Sequence, residues 1–348
     1  MSSNGLLNRP WLGSGFETWV LIGITLVSLI VFVFSIWPKL QVLLLATPEN
    51  RFNRFWERLL HMLRVALGQS KLFKRLRPGW MHAAIFWGFC VLLLRAGQFF
   101  FIGFFPDISL TGPIVDAFWS GYLLFKDVFV VLIIAAVMFA VYRRMAIRPP
   151  YLTLSFQGLL ILFLILIIMI TDAVFEGAFL ALHLEPPDSI VSLGFLLAST
   201  LEGIDGKVLK YLHLASYWVH IGAILIFLTL LPRSKHFHIF TSFPNVFFAN
   251  LDCGNAISRI EFEDESRDQF GVVKIEDFSW KRLLDFHTCT ECGRCDQVCP
   301  ALKTGKPLSP KQFTVDLRDH LNAVSPAILS KSGAKRAALA GEIIPDEV

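Results

Sequence analysis

Five stretches of about 20 mostly apolar residues constrain this chain more than anything else in it. A backbone crossing hydrocarbon must satisfy its own hydrogen bonds, and one without sheet partners does so as a helix. The stretches fall at roughly 19–37, 81–104, 123–141, 152–173 and 212–231. Of 348 residues, 54% are hydrophobic and 17% charged, against about 25% charged in ordinary soluble domains. That excludes a disordered chain and a purely soluble globule. The formal charge of +4 is small and scattered, so nothing suggests a nucleic-acid partner. The first stretch does not read as a cleavable leader: its apolar run is too long and Trp37-Pro38-Lys39 ends it like an interface stop.

The loops orient the spans. Arg51, Arg54, Arg58, Arg64, Lys71, Lys74, Arg75 and Arg77 lie between the first two, Arg143, Arg144 and Arg148 between the third and fourth, and Arg233 and Lys235 after the fifth. The positive-inside rule then puts the N-terminus outside and everything after Leu231 in the cytoplasm, in an inner membrane crossed five times. Residues 51–77 punctuate their basic charges with Phe52, Phe55, Trp56, Leu59, Leu60 and Leu63, which predicts a helix along the cytoplasmic surface in contact with lipid. Composition changes after about Thr241. The expected organisation is a transmembrane domain at 1–241 and a cytoplasmic module at 242–348, together an all-α membrane protein with a small, mostly helical ferredoxin-like module. Within that module 270–275 alternates like a short strand, 279–286 reads as a helix, and Ser309-Pro310 caps a helix to about Leu321.

Four of the six cysteines form one run, Cys289-Thr-Glu-Cys292-Gly-Arg-Cys295-Asp-Gln-Val-Cys299-Pro300. The spacing C-x₂-C-x₂-C-x₃-C-P is that of a [4Fe–4S] ligand loop. Short gaps let three thiolates reach three corners of one cubane, and Gly293 lets the backbone approach. Structural zinc more often uses two separated C-x₂-C knuckles. In two-cluster ferredoxins the fourth cysteine of such a run serves the other cluster, so Cys299 either completes this cluster or serves a neighbour. A second run is absent here, and the chain reads as the first part of a longer electron-transfer unit. Cys90 reads as an apolar filler, and Cys253 as unligated.

Histidines inside or at the ends of spans are candidates for haem b, since neutral imidazole suits iron and ionisable groups in a membrane are functional by default. His82 opens the second span, His213 and His220 lie in the fifth, and His236 and His238 follow it. His82 pairs with His236 or His238 by depth, for a first haem. His220 is a ligand for a second, with His213 or His183 as partners. His220 and His238 are 18 residues apart, five helical turns, and would share a face if no kink intervened at Pro232. His61, His183, His287 and His320 read as interface residues. Arg95, Asp127, Asp172 and Glu176 are polar within spans; Arg95 either pairs with Asp172 or Glu176 or holds a haem propionate.

These features carry a resemblance. The five spans with His82, His220 and His238, and the stretch Leu-Pro-Arg-Ser-Lys-His-Phe-His-Ile at 231–239, resemble the cytochrome b (gamma) subunit of respiratory nitrate reductase. The chain departs from that pattern at Leu92, where the family would place a second histidine on the second span. Residues from about 270 resemble the ferredoxin-type module that opens heterodisulfide reductase D-like proteins. The combined layout is similar to fused iron–sulfur oxidoreductases that link electron-transfer flavoprotein to membrane menaquinone, which continue with a second cysteine run and further cluster domains. The resemblance implies respiratory-chain electron transfer from electron-transfer flavoprotein, or another cytoplasmic redox protein, to quinone through [4Fe–4S] and haem b. Alternatives are menaquinol-dependent reduction of a cytoplasmic disulfide, and a non-catalytic anchor subunit whose partners carry the catalysis.

Overall fold

A computed structural model describes residues 15–108, 112–183, 192–252, 271–330 and 339–344. Among these residues the structure is all-α, without a strand. Five helices are long and apolar enough to cross a membrane: α1 (Gly15–Leu45), α3 (Leu76–Phe104), α4 (Pro113–Tyr142, running on as a wider turn to Ile147), α5 (Phe156–His183) and α7 (Gly206–Leu230). Each outruns its apolar stretch, because helical hydrogen bonding continues past the point where composition turns polar. The exception is the start of α5, four residues later than the apolar stretch predicts: Pro149-Pro150 cannot enter it, and Ser155 receives the Gly158 N–H at 3.3 Å as its cap.

The chain forms two compact units. The first takes in residues up to Val31, Leu72–Arg148 and Leu154–Thr229. Its core runs through Leu21, Phe99, Ile102, Phe175, Tyr217 and Ile221, with a second cluster around Val130, Ile133, Val137 and Met169. Hydrogen bonds tie its helices where lipid offers none: Tyr217 Oη donates to the Phe99 carbonyl at 3.1 Å, Tyr122 Oη to Val91 at 3.0 Å and Thr18 Oγ1 to Gly103 at 3.1 Å. The short helix α6 (Leu193–Thr200) lies on α5 because Gly177 and Gly194 leave room; a methyl at either would press within 3.0 Å of Leu197 or Glu176.

The second unit comprises Phe32–Lys71, Pro149–Thr153 and Leu230–Val348. Val42, Ile275, Leu283, Phe286, Leu317 and Leu321 make its core. The basic segment folds as α2 (Phe55–Met62), a wider turn to Leu67, and irregular turns after Gly68, rather than one surface helix. Arg58 points inward and donates to the carbonyls of Phe247 and Ala249 at 3.2 and 2.8 Å, where α8 (His238–Phe247) runs out of helical partners. Then come α9 (Trp280–Thr288), α10 (Arg294–Val298), α11 (Pro300–Lys303) and α12 (Pro310–Leu329). Ser309 caps α12 by accepting from Gln312 N–H at 3.1 Å.

Two expectations are corrected. Residues 271–275 form no strand: the Asp277 carboxylate takes the Val273 and Lys274 N–H groups at 3.0 and 2.8 Å, closing a local turn in place of a ladder. Phe270 lies outside the described residues, as does Cys253. Nor does one helix carry both His220 and His238. It ends at Leu230, passes through Pro232 and an extended Ser234 (φ −131°), and restarts at His238. Pro232 withholds an N–H, and the Ser234 hydroxyl recaps the chain by accepting from His236 N–H at 3.2 Å.

Candidate redox-cofactor sites

The cysteine loop joins three short helices in the second unit. Cys289 ends α9, Cys295 lies in α10, and Cys299 caps α11 with Pro300 at its first position. Cys299 is buried, Cys289 half-buried, and Cys292 and Cys295 exposed. Two residues between the ligands have left-handed backbone, Glu291 (φ 56°) and Gly293 (φ 66°). Gly293 is needed twice over, because a Cβ there would also stand 2.5 Å from the Tyr151 carbonyl oxygen. Glu291 pays a conformational cost and is fixed by two cations, Arg318 at 2.9 Å and Lys235 at 3.6 Å. Asp296 ties the loop to α12, accepting from Ser309 Oγ at 3.0 Å and Lys311 N–H at 2.9 Å.

Burial pushes the Cys289 and Cys295 thiols up from their ordinary value; N–H groups of Glu291 and Asp296 pull the other way, and the Cys292 charge raises both. Cys292 is therefore electrically close to each of the other two. Among the described residues no three His, Cys, Asp or Glu side chains converge as a metal-holding group, so the thiols share one loop without closing on one centre. Their chemistry fits an iron–sulfur cluster nonetheless. All four donors are thiols, backbone N–H groups face two of the sulfurs, and half-buried Arg318, Lys235 and Lys311 supply the positive charge that a thiolate-ligated cluster requires.

His287, read from sequence as an interface residue, is buried two residues before Cys289, and burial, aided by Lys39 and Arg318, holds it neutral with a pKa of about 3. Its Nε2 has no hydrogen-bond partner among the described residues. Phe237 meets its ring edge-on at 6.2 Å.

In the first unit the structure fixes tautomers that sequence cannot show. His213 Nδ1 lies 2.9 Å from the Phe175 carbonyl, which only accepts, so Nδ1 carries a hydrogen. His220 Nδ1 lies against Thr171. That hydroxyl donates to the Ile167 carbonyl at 2.7 Å, so its oxygen accepts from His220 Nδ1 at 3.0 Å. His213 and His220 are 0% and 2% exposed and stack on Phe175 and Phe99, ring centroids 4.1 Å apart in each case. In the second unit His238 Nδ1 is 2.9 Å from the Lys235 carbonyl, and the His236 and His238 rings lie 6.2 Å apart. Nδ1–H held by a carbonyl or hydroxyl, with Nε2 basic, is the form in which imidazole binds a metal. His82 lies in the first unit, near the start of α3.

Arg95 is 1% exposed and sits in an ion cluster. Its Nε lies 2.6 Å from Asp172, and its terminal nitrogens 2.6 Å from Gln98 and 3.3 Å from Glu176. Lys126, equally buried, reaches Asp127 at 2.8 Å, Asp172 at 2.7 Å and Glu176 at 3.0 Å. Sequence reading passed over Lys126 and Gln98, although Lys126 adjoins Asp127 and Gln98 lies one helical turn from Arg95.

The chain is similar over 89% of its length to a Bacillus subtilis protein named "Probable iron-sulfur-binding oxidoreductase FadF", with 33% identity. Over 91% it is 32% identical to the "EtfAB:quinone oxidoreductase" of Syntrophomonas wolfei subsp. wolfei. These matches cover 43% and 46% of the two relatives, so the chain spans a little under half their length. A 54-residue segment, 16% of this chain and 8% of the relative, is 46% identical to a "Probable membrane-anchored ferredoxin" of Chromohalobacter salexigens. No family model matches the chain, and neither does any solved structure.

Proposed function

We propose that this chain is the membrane-bound electron-transfer part of a quinone-linked iron–sulfur oxidoreductase, working between a cytoplasmic electron-transfer flavoprotein and menaquinone. The observation that carries the reading is a four-cysteine loop of iron–sulfur spacing on the same chain as five membrane-length helices. The relatives' names supply the donor, the quinone and the iron–sulfur chemistry. Cys289, Cys292 and Cys295 hold one [4Fe–4S] cluster, and Cys299 completes it or serves a neighbour. Haem b is assigned, on the sequence argument, to His82 with His236 or His238, and a second to His220.

When bound, these groups accept and release electrons one at a time. The protein's share is to hold and balance them. Arg318, Lys235 and Lys311 offset thiolate charge at the loop. Thr171 and the Phe175 carbonyl orient His220 and His213. The basic bias of the loops supports a cytoplasmic position for the cysteines and an outside N-terminus.

The test is a reduced-minus-oxidised optical spectrum of purified protein with iron, sulfide and haem quantified, followed by quinone reduction with reduced electron-transfer flavoprotein. Stoichiometric zinc without iron sinks the cluster; iron without haem sinks the haem assignment. A reporter fused after Thr241 that is active only outside the cytoplasm reverses the orientation.

A further inference from the structure

The turn between the first two cysteines of the loop is made by a residue ill suited to its backbone. Glu291 has a left-handed φ of 56°, a conformation that glycine and asparagine adopt readily and that a glutamate keeps only where its surroundings over-determine it. Gly293, two residues on, has the same kind of backbone, and there glycine answers both the φ of 66° and the nearby Tyr151 carbonyl. A glutamate at 291 therefore supplies something its own backbone does not ask for. Its carboxylate spans two elements of the second unit. Oε1 accepts from Arg318 on α12 at 2.9 Å, and Oε2 lies 3.6 Å from Lys235 in the turn before α8. The Glu291, Arg318 and Lys235 side chains are 17%, 15% and 11% exposed, so solvent screens these pairs only weakly. The carboxylate is a strut, and what it holds is a left-handed turn.

That turn carries a contact to a ligand. The Glu291 N–H faces the Cys289 sulfur and draws that thiol down against the effect of burial. Cys289 leaves α9 in an extended conformation (φ −61°, ψ 123°) and is half-buried, and a hydrogen bond in such a partly dry place is stronger than one in water. Residue 291 joins this N–H to Cys292. A φ outside the left-handed region cannot keep both the N–H on the Cys289 sulfur and Cys292 in its place. An N–H bonded to a ligating sulfur favours the more negative, reduced form of an iron–sulfur centre and so raises its potential.

We propose that Glu291 is a positioning residue for the iron–sulfur cluster: its carboxylate, held between Arg318 and Lys235, fixes the left-handed turn that keeps its own N–H on the Cys289 sulfur, and thereby sets the cluster's reduction potential. The inference rests on the cluster assigned under the proposed function. Glu291 takes part in no transfer; it shifts the balance between the oxidised and reduced cluster.

The experiment compares wild type, Glu291→Ala and Glu291→Gly in the purified full chain, by a redox titration of the cluster's low-temperature paramagnetic signal and by resonance Raman spectra in H₂O and D₂O. Both variants lack the carboxylate, so an effect of charge alone moves them together. Only glycine enters the left-handed region freely, and glycine also loosens the chain, so a loop that merely needed stiffness would suffer more from Gly than from Ala. The expected result is the reverse. The potential of Glu291→Ala should lie below that of Glu291→Gly. The D₂O shift of the iron–thiolate stretching bands, which reports the N–H on sulfur, should be kept in Gly and diminished in Ala. Equal potentials and equal D₂O shifts in the two variants overturn the positioning role and leave the cluster standing. If Ala holds no iron and Gly does, the positioning role is supported; if neither holds iron, the carboxylate is needed for its own sake and the role is overturned. A wild type with no iron–sulfur signal brings down the proposed function, and this inference with it.

Discussion

The cysteine loop and the Arg95–Lys126 cluster solve opposite problems. The loop gathers like groups, four thiols, within one short stretch of chain, and leaves two of them exposed. The ion cluster gathers unlike groups from α3, α4 and α5 and hides all of them. Thiols wait for an outside partner, so the loop needs shape first. Buried charges have to supply each other's partners, so the cluster needs complete membership. One region is expected to tolerate loss of a ligand and lose only its cofactor; the other should lose stability with any member.

Four substitutions probe that contrast. Cys292→Ala should abolish the low-temperature paramagnetic signal of the iron–sulfur cluster while leaving the α-helical content and thermal unfolding of the membrane helices unchanged; collapse of those helices would end the distinction. Asp172→Ala should do the reverse. It leaves Arg95 and Lys126 facing an unsatisfied position, at a cost of about 3–5 kcal/mol for breaking a buried pair, read as a lower unfolding temperature in detergent with the cluster signal retained. Gly293→Ala forces a Cβ into a left-handed backbone and onto the Tyr151 carbonyl, a penalty of about 1–3 kcal/mol that should show as faster loss of iron to a chelator. Ser309→Ala removes the cap of α12, worth about 1 kcal/mol, and frees Asp296 from one of its partners. A small fall in loop stability with full cluster content is the expected result.

Sequence made the loop legible and the ion cluster only partly so, for the same reason. The cysteine spacing is local and records its own geometry, and the spans are visible because length and composition suffice. Arg95 with Asp172 or Glu176 could be suspected, because ionisable groups within spans are rare. The Lys126–Asp172 contact and the Leu193 N–H could not, since they cross 46 and 66 residues; Gln98, one helical turn from Arg95, is a local partner that composition does not flag. The tautomers of His213 and His220 were hidden likewise, being set by a carbonyl and a hydroxyl on another helix. The break between His220 and His238 is a competition between helix periodicity and Pro232 that the extended Ser234 settles. The alternation at 271–275 misled because a strand needs a neighbour, and Asp277 offered those N–H groups a nearer acceptor.

The left-handed turn at Glu291, clamped by Arg318 and Lys235, bears on how the protein matures. Its conformational cost is met by ion pairs of the polypeptide itself, so the loop is shaped before iron arrives. Cys292 and Cys295 are open to solvent, while Cys289 and Cys299 sit deeper. A scaffold or carrier handing over a preassembled cluster would meet the outer two sulfurs first and the inner two last. On the proposed function, a cluster would then be received by a loop that the polypeptide already shapes, through its exposed sulfurs first.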